Sequence, residues 1–176
     1  MDSILVVCYS HTGVSRRAAQ LLCSHHGWPL GEVQEVKSRG SLRCVLDSLL
    51  RRHPEIRYNG PDPGDFRTVV LVAPIWMYQL AGPMRSFLAR EKNKLQRVAV
   101  IVTMNAAGAS NAFGEVAALL GRSPIRTAAV TARSIEDGSG TGALLDFGAA
   151  LQPGSTAGPL PRQRAWSEPI PGRATP

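Results

Sequence analysis

Residues 3–15 read Ser3-Ile4-Leu5-Val6-Val7-Cys8-Tyr9-Ser10-His11-Thr12-Gly13-Val14-Ser15. An apolar, β-branched run breaks into a hydroxyl-bearing loop with one glycine, and a helical pattern begins at once. Such a loop delivers the chain from the end of a strand to the start of a helix. There the unpaired N–H groups and the positive end of the helix dipole favour an anion. Ser10, Thr12 and Ser15 add hydroxyl donors, and Gly13 admits close approach of the backbone. The loop carries neither lysine nor carboxylate, and the Gly-Lys-Ser/Thr ending of a nucleoside triphosphate loop is absent from it. The residues point to a monophosphate held mainly by neutral donors. An ordinary helix cap draws on the same residue types, but needs fewer of them around one glycine.

Outward from this stretch, apolar strand-like runs alternate with amphipathic ones. The spacing of Ala18, Leu21 and Leu22 predicts a helix over 14–26, stopped by Gly27 and Pro29. A short second strand is predicted over 32–36, and a helix over 41–52 with Leu42, Val45, Leu46 and Leu49 on one face. Residues 53–67 read as a loop rich in Pro, Gly and Asp. The near-continuous apolar run 68–73 suits the middle of a parallel sheet. A loop over 74–82, a helix over 83–90 with proline in its first turn, and a strand over 98–103 follow. A small-residue loop over 104–110, a helix over 111–120, a strand over 125–131 and a short helix over 141–151 complete the pattern. This alternation specifies an α/β fold with a parallel, doubly wound sheet and helices on both faces. Ligands in such sheets bind beyond the carboxyl ends of the strands, where the strand order reverses. The loops after the first, third and fourth strands should meet there.

The 176-residue chain is 44% hydrophobic, which suits one folded domain, here placed at 1–151. Residues 152–176, rich in Pro, Gly and Arg, read as a disordered tail. No apolar stretch reaches the ~20 residues of a membrane span, and the first strand starts too early for a signal peptide, so a cytoplasmic protein is expected. Cys8, Cys23 and Cys44 lack metal-ligand spacing and read as reduced thiols. The formal charge of +7 comes from scattered arginines rather than a basic run interleaved with aromatics. Nucleic-acid binding is therefore not expected, and an acidic protein partner or anionic ligand is. His11 could donate a proton to a bound quinone or simply point to solvent. His25 and His26 close a helix, where imidazoles are ordinary. Neither Ser10 nor Ser15 has a histidine and carboxylate placed to make it a nucleophile.

The chain resembles the flavodoxin family at three places in order. Ser10-His11-Thr12-Gly13-Val14-Ser15 matches the family's Ser/Thr-x-Thr-Gly-x-Ser/Thr phosphate loop at every fixed position. Ala73-Pro74-Ile75-Trp76 ends the third predicted strand, and the continuation from Met77-Tyr78-Gln79-Leu80 to Phe87-Leu88 is similar to short-chain flavodoxin-like proteins and flavin-dependent quinone reductases. Thr103-Met104-Asn105-Ala106-Ala107-Gly108 is similar to the glycine-bearing third flavin loop of that group.

The resemblance implies a three-layer sandwich around a five-stranded parallel sheet of order 2-1-3-4-5. It also implies FMN, its phosphate held at residues 10–15 and its ring across the second and third loops. Pro74, Ile75, Trp76, Met77 and Tyr78 would then flank the ring, with Trp76 and Tyr78 as flat apolar walls. Thr103, Met104, Asn105 and Gly108 would line its polar edge. Met104 could equally be core filler, and Asn105 and Gly108 an ordinary turn. The family's electron carriers are often acidic with an aromatic, acidic third loop; this chain is basic, and its third loop has neither feature. That departure leaves room on one ring face for a second ligand.

Three readings follow. The leading one is an FMN protein passing electrons to an acidic protein partner. The second is an FMN-dependent reductase using a quinone or nicotinamide substrate, resembling protoporphyrinogen dehydrogenases and quinone reductases in layout. No Gly-x-Gly-x-x-Gly fingerprint is present for the nicotinamide. The third is a flavodoxin-shaped scaffold without flavin.

Overall fold

The computed structural model describes residues 3–36, 54–105 and 107–152, and in it the apolar runs become the strands of one sheet. In chain order the elements are β1 (Ile4–Tyr9), α1 (Val14–His26), β2 (Leu30–Glu35), β3 (Ile56–Asn59), a 3-10 turn (Pro63–Asp65), β4 (Thr68–Trp76), β5 (Gln79–Leu80), α2 (Gly82–Glu91), β6 (Arg97–Met104), α3 (Ala109–Leu120), β7 (Arg126–Thr131), α4 (Ala132–Glu136) and α5 (Thr141–Ala149). The helix predicted over 41–52, with Cys44, and the tail beyond Gln152 lie outside the described residues.

The sheet order is β3-β2-β1-β4-β6-β7, with β5 paired to β4. The pairs β2–β1, β1–β4, β4–β6 and β6–β7 are parallel. Taken in order of appearance, these five strands run 2-1-3-4-5, the flavodoxin-like arrangement. Two short strands add to the predicted count, making seven among the described residues. β3 runs antiparallel to β2, with Val33 opposite Tyr58. It falls within 53–67, read from sequence as loop. Four residues flanked by Pro54 and Gly60 are too few to show a period, although Ile56 and Tyr58 do pack on the core. β4 also runs on through Pro74, Ile75 and Trp76 and folds back as β5, so the predicted 74–82 loop is in part a hairpin.

Side chains alternate between the two faces of the sheet, as strand geometry requires. Leu5, Val7, Val69, Leu71, Val98 and Val100 face one way and meet Met84, Phe87 and Leu88 of α2 with Ala112 and Val116 of α3. Ile4, Val6, Val70, Val72, Ala99 and Ile101 face the other way, against Ala18, Ala19 and Leu22 of α1 and Leu144 and Phe147 of α5. The central strands are buried on both faces, which explains their unbroken apolar sequence. Cys8 is buried within the second layer and, like the half-buried Cys23, is a free thiol. No described helix is long and apolar enough to cross a membrane.

Candidate functional site

The strand order reverses between β1 and β4, and the connections leaving β1, β4 and β6 reach the same edge of the sheet. Three contacts close these segments into a triangle. The rings of His11 and Trp76 meet edge-on, with centroids 5.6 Å apart. The hydroxyls of Ser15 and Thr103 are hydrogen-bonded at 2.7 Å. Gly108 lies against Tyr78 and Ile75, where a Cβ on it would come within 2.8 Å of the Tyr78 Cα.

In the first segment, Gly13 caps α1 with φ of 94°, a left-handed conformation that glycine adopts without steric cost. The Gly13 N–H donates to Ser10 Oγ at 3.1 Å, tightening the turn. No side chain caps the start of α1, and nothing lies within 4 Å of where a Gly13 Cβ would be. The first turn of α1 is thus left without a side-chain cap beside the exposed Thr12. A small cavity of about 170 Å³ opens there, lined by Thr12, Gly13, Val14 and Arg17 together with Ile135 and Glu136. Ser15 is buried, with its hydroxyl turned to Thr103 rather than outward. Val14 packs on the core layer below. His11 is exposed and Ser10 half-buried.

The second segment is a two-residue hairpin turn. Trp76 pairs with Gln79 and Ile75 with Leu80, leaving Met77 and Tyr78 at the tip. Both have positive φ, 48° and 64°. Such turns favour Asn-Gly or similar pairs because both central residues must be left-handed. For larger residues that conformation costs roughly 1–2 kcal/mol each. Both side chains are nonetheless exposed, Met77 by 52% and Tyr78 by 58%, so core packing does not explain them. Strain of this kind gathers at ligand-contacting loops. Trp76, half-buried, also meets the ring of Tyr9 edge-on at 5.7 Å. The Tyr9 hydroxyl in turn donates to Glu35 Oε1 at 2.7 Å. Pro74 and Ile75 are half-buried under the turn.

In the third segment, Thr103 is buried and Met104 half-buried at the end of β6, Asn105 is exposed, and Gly108 caps α3 with φ of 108°. Phe113 lies in α3 and packs on the core, not over the site. Between the hairpin and α3 a larger cavity of about 620 Å³ opens. Its floor holds Arg85, 2% exposed, whose Nη1 donates to Glu115 Oε1 at 3.2 Å and Gln79 Oε1 at 3.3 Å. The Leu80 N–H donates to the other carboxylate oxygen, Oε2, at 3.0 Å.

All the residues that sequence singled out for the site therefore sit at this edge, except that the Ser15 hydroxyl is already partnered inward. Sequence reasoning passed over Tyr9, Arg85 and Glu115. A signal for the last two was present. Glu115 is the sole charged residue of α3, and Arg85 interrupts the apolar run of a helix buried almost all round. A buried charge requires a partner of opposite sign. Burial of Cys8 below the first loop pushes its thiol up to about 12, with Glu32 reinforcing the shift, so the thiol keeps its proton at neutral pH. Among the described residues, no three His, Cys, Asp or Glu side chains gather to hold a metal ion.

No family model matches the chain, and no curated protein matches it in sequence. Solved structures do match in fold. A flavoprotein from Lactobacillus acidophilus, crystallised in complex with FMN, is 19% identical, with a TM-score of 0.66 over 79% of this chain and 99% of that one. The Trp repressor binding protein from Bacillus subtilis is 12% identical, with a TM-score of 0.55 over 87% of this chain and 100% of that one. RosB, solved with bound 8-demethyl-8-formylriboflavin-5'-phosphate, is 10% identical, with a TM-score of 0.53 over 85% of this chain and 77% of that one. The fold is thus flavodoxin-like.

Proposed function

We propose that the chain is an FMN-binding flavoprotein that passes electrons to a protein partner. The observation that carries this is the three-way closure at the switch point: His11 on Trp76, Ser15 on Thr103, Gly108 on Tyr78. Two of the fold neighbours hold a flavin phosphate, and the residues here suit one. The uncapped start of α1 beside Thr12 and Gly13 offers backbone and hydroxyl donors to a phosphate, and Arg17 at the wall adds a positive charge. Trp76 and Tyr78 offer aromatic surface to the ring, and the backbone from Asn105 to Gly108 offers polar groups to its edge. FMN, when bound, supplies one- and two-electron chemistry that no side chain here provides. The protein's part is to hold the ring, exclude water from one face and set its electrostatic surroundings. A net charge of +7 favours an acidic partner and makes association salt-dependent.

A second reading is an FMN-dependent reductase acting on a small quinone or nicotinamide substrate. The cavity of about 620 Å³ beside the hairpin favours it, since a second small ligand needs such space. Oxidation of NADPH by the purified protein without any partner would decide for it.

Titration of the purified chain with FMN and riboflavin tests the cofactor itself. Thr12→Leu should weaken FMN by about tenfold or more while moving riboflavin little, because one charge-assisted hydrogen bond to the phosphate is lost. Equal losses for both ligands would contradict phosphate anchoring, and no uptake of either would leave a flavodoxin-shaped scaffold.

A further inference from the structure

We propose that Glu115 is a positioning residue for this site: its carboxylate grips the outer side of the 76–80 hairpin and so fixes where Met77 and Tyr78 stand. The flavin's place beside that turn rests on the FMN reading above, whereas the grip itself is visible in the chain alone. β5 has only two residues, and its inner side is paired to β4. The Leu80 N–H points to the outside of that pair and donates to Glu115 Oε2 at 3.0 Å. The other carboxylate oxygen accepts from Arg85 Nη1 at 3.2 Å, and the same Nη1 reaches Gln79 Oε1 at 3.3 Å. One carboxylate thus joins three segments: α3, which follows the third loop, α2, which follows the hairpin, and the hairpin itself.

The arrangement answers a specific need. Two consecutive bulky residues of positive φ do not make a stable turn by themselves, and a two-residue strand supplies little pairing to hold them. Gly108 blocks one direction of movement through its close approach to Tyr78. Glu115 adds a second restraint by tying Leu80 to the same helix, α3. The side chain is only 17% exposed and its guanidinium partner 2%, so water competes weakly for the bond.

What does the holding is reach, not charge alone, and two variants separate these. Glu115→Gln keeps the length of the side chain and an oxygen for Leu80, but loses the charge facing Arg85. Glu115→Asp keeps the charge but is one methylene shorter. Amide exchange at Leu80 in the ligand-free chain, with FMN and riboflavin titrations of each variant, reads the outcome. Glu115→Gln should lower overall stability, because Arg85 then faces an amide instead of a carboxylate, but it keeps the Leu80 bond, so Leu80 exchange and flavin affinity should stay within about threefold of the parent. Glu115→Asp should speed Leu80 exchange about tenfold and weaken FMN and riboflavin by the same factor of about ten, as loss of one such hydrogen bond to a charged group implies. Equal loosening in both variants, parental behaviour in both, or loss in Gln alone would overturn the proposal. If the unmodified chain takes up no flavin, the preceding reading falls, while the Leu80 exchange comparison still decides whether Glu115 holds the turn.

Discussion

The hydroxyls of Ser15 and Thr103 lie 2.7 Å apart in the interior, joining the first turn of α1 to the last residues of β6 across 88 positions of sequence. Both residues are nearly inaccessible, at 1% and 4%. Each is therefore the other's partner in a place where an unmatched hydroxyl is costly. Ser15→Ala and Thr103→Val should each lower the unfolding free energy by about 1–2 kcal/mol, and the double variant by less than the sum. Urea denaturation of the four proteins measures this; strict additivity would mean that the bond contributes nothing.

Three glycines form a graded series. Gly108→Ala places a Cβ 2.8 Å from the Tyr78 Cα at a φ of 108°, so it should cost on the order of 2 kcal/mol or more and displace the hairpin. Gly121→Ala has a similar sign of φ, 69°, but open space around it, and should cost about 1 kcal/mol. Gly114→Ala, in the middle of α3 with nothing within 4 Å, should stabilise by about 0.5–1 kcal/mol. Thermal midpoints in that order would check the close packing of the second and third segments.

Trp76→Ala removes a ring that Tyr9 and His11 both meet edge-on. If that ring borders the flavin, FMN affinity should fall about tenfold and the quenching of flavin fluorescence should diminish. Unchanged affinity and emission would remove Trp76 from the site.

Alkaline pH tests the buried thiol. Cys8 is held up at about 12 in the folded chain by burial, against an ordinary 9.0. Below pH 9 both folded and unfolded chains keep the proton, and the thiol's contribution is fully present. Between about 9 and 12 the unfolded chain loses its proton first, so stability should fall by up to about 1.4 kcal/mol per pH unit from this group. Cys8→Ala should flatten that limb of the stability curve, and a thiol reagent at pH 8 should leave native Cys8 unmodified. Rapid labelling of the folded chain would show that the layer over β1 is open.

The doubly wound sheet could be read from sequence because its strands are buried on both faces and spell that out as unbroken runs such as Val69-Val70-Leu71-Val72. The three loops could be read because each interrupts such a run with small, hydroxyl-bearing or aromatic residues. β3, β5 and α4 were missed because four, two and five residues carry no measurable period. The turn at Met77 and Tyr78 lacks the Asn-Gly signature that usually announces a hairpin, since contacts from Gly108 and Glu115, far away in sequence, determine it instead. Ser15 illustrates the same limit. Its place in the motif is plain, but which way its hydroxyl points depends on Thr103.

β2 and β3 run antiparallel, with Glu35 opposite Ile56, and the Val36 N–H donates to the Glu55 carbonyl at 3.1 Å. The chain therefore departs and returns at one spot, on the rim shared with Tyr9 and Trp76. Glu35 is thus held twice, by the outermost antiparallel pair and by the Tyr9 hydroxyl, so an aromatic ring of the rim is moored to the last pair of strands in the sheet.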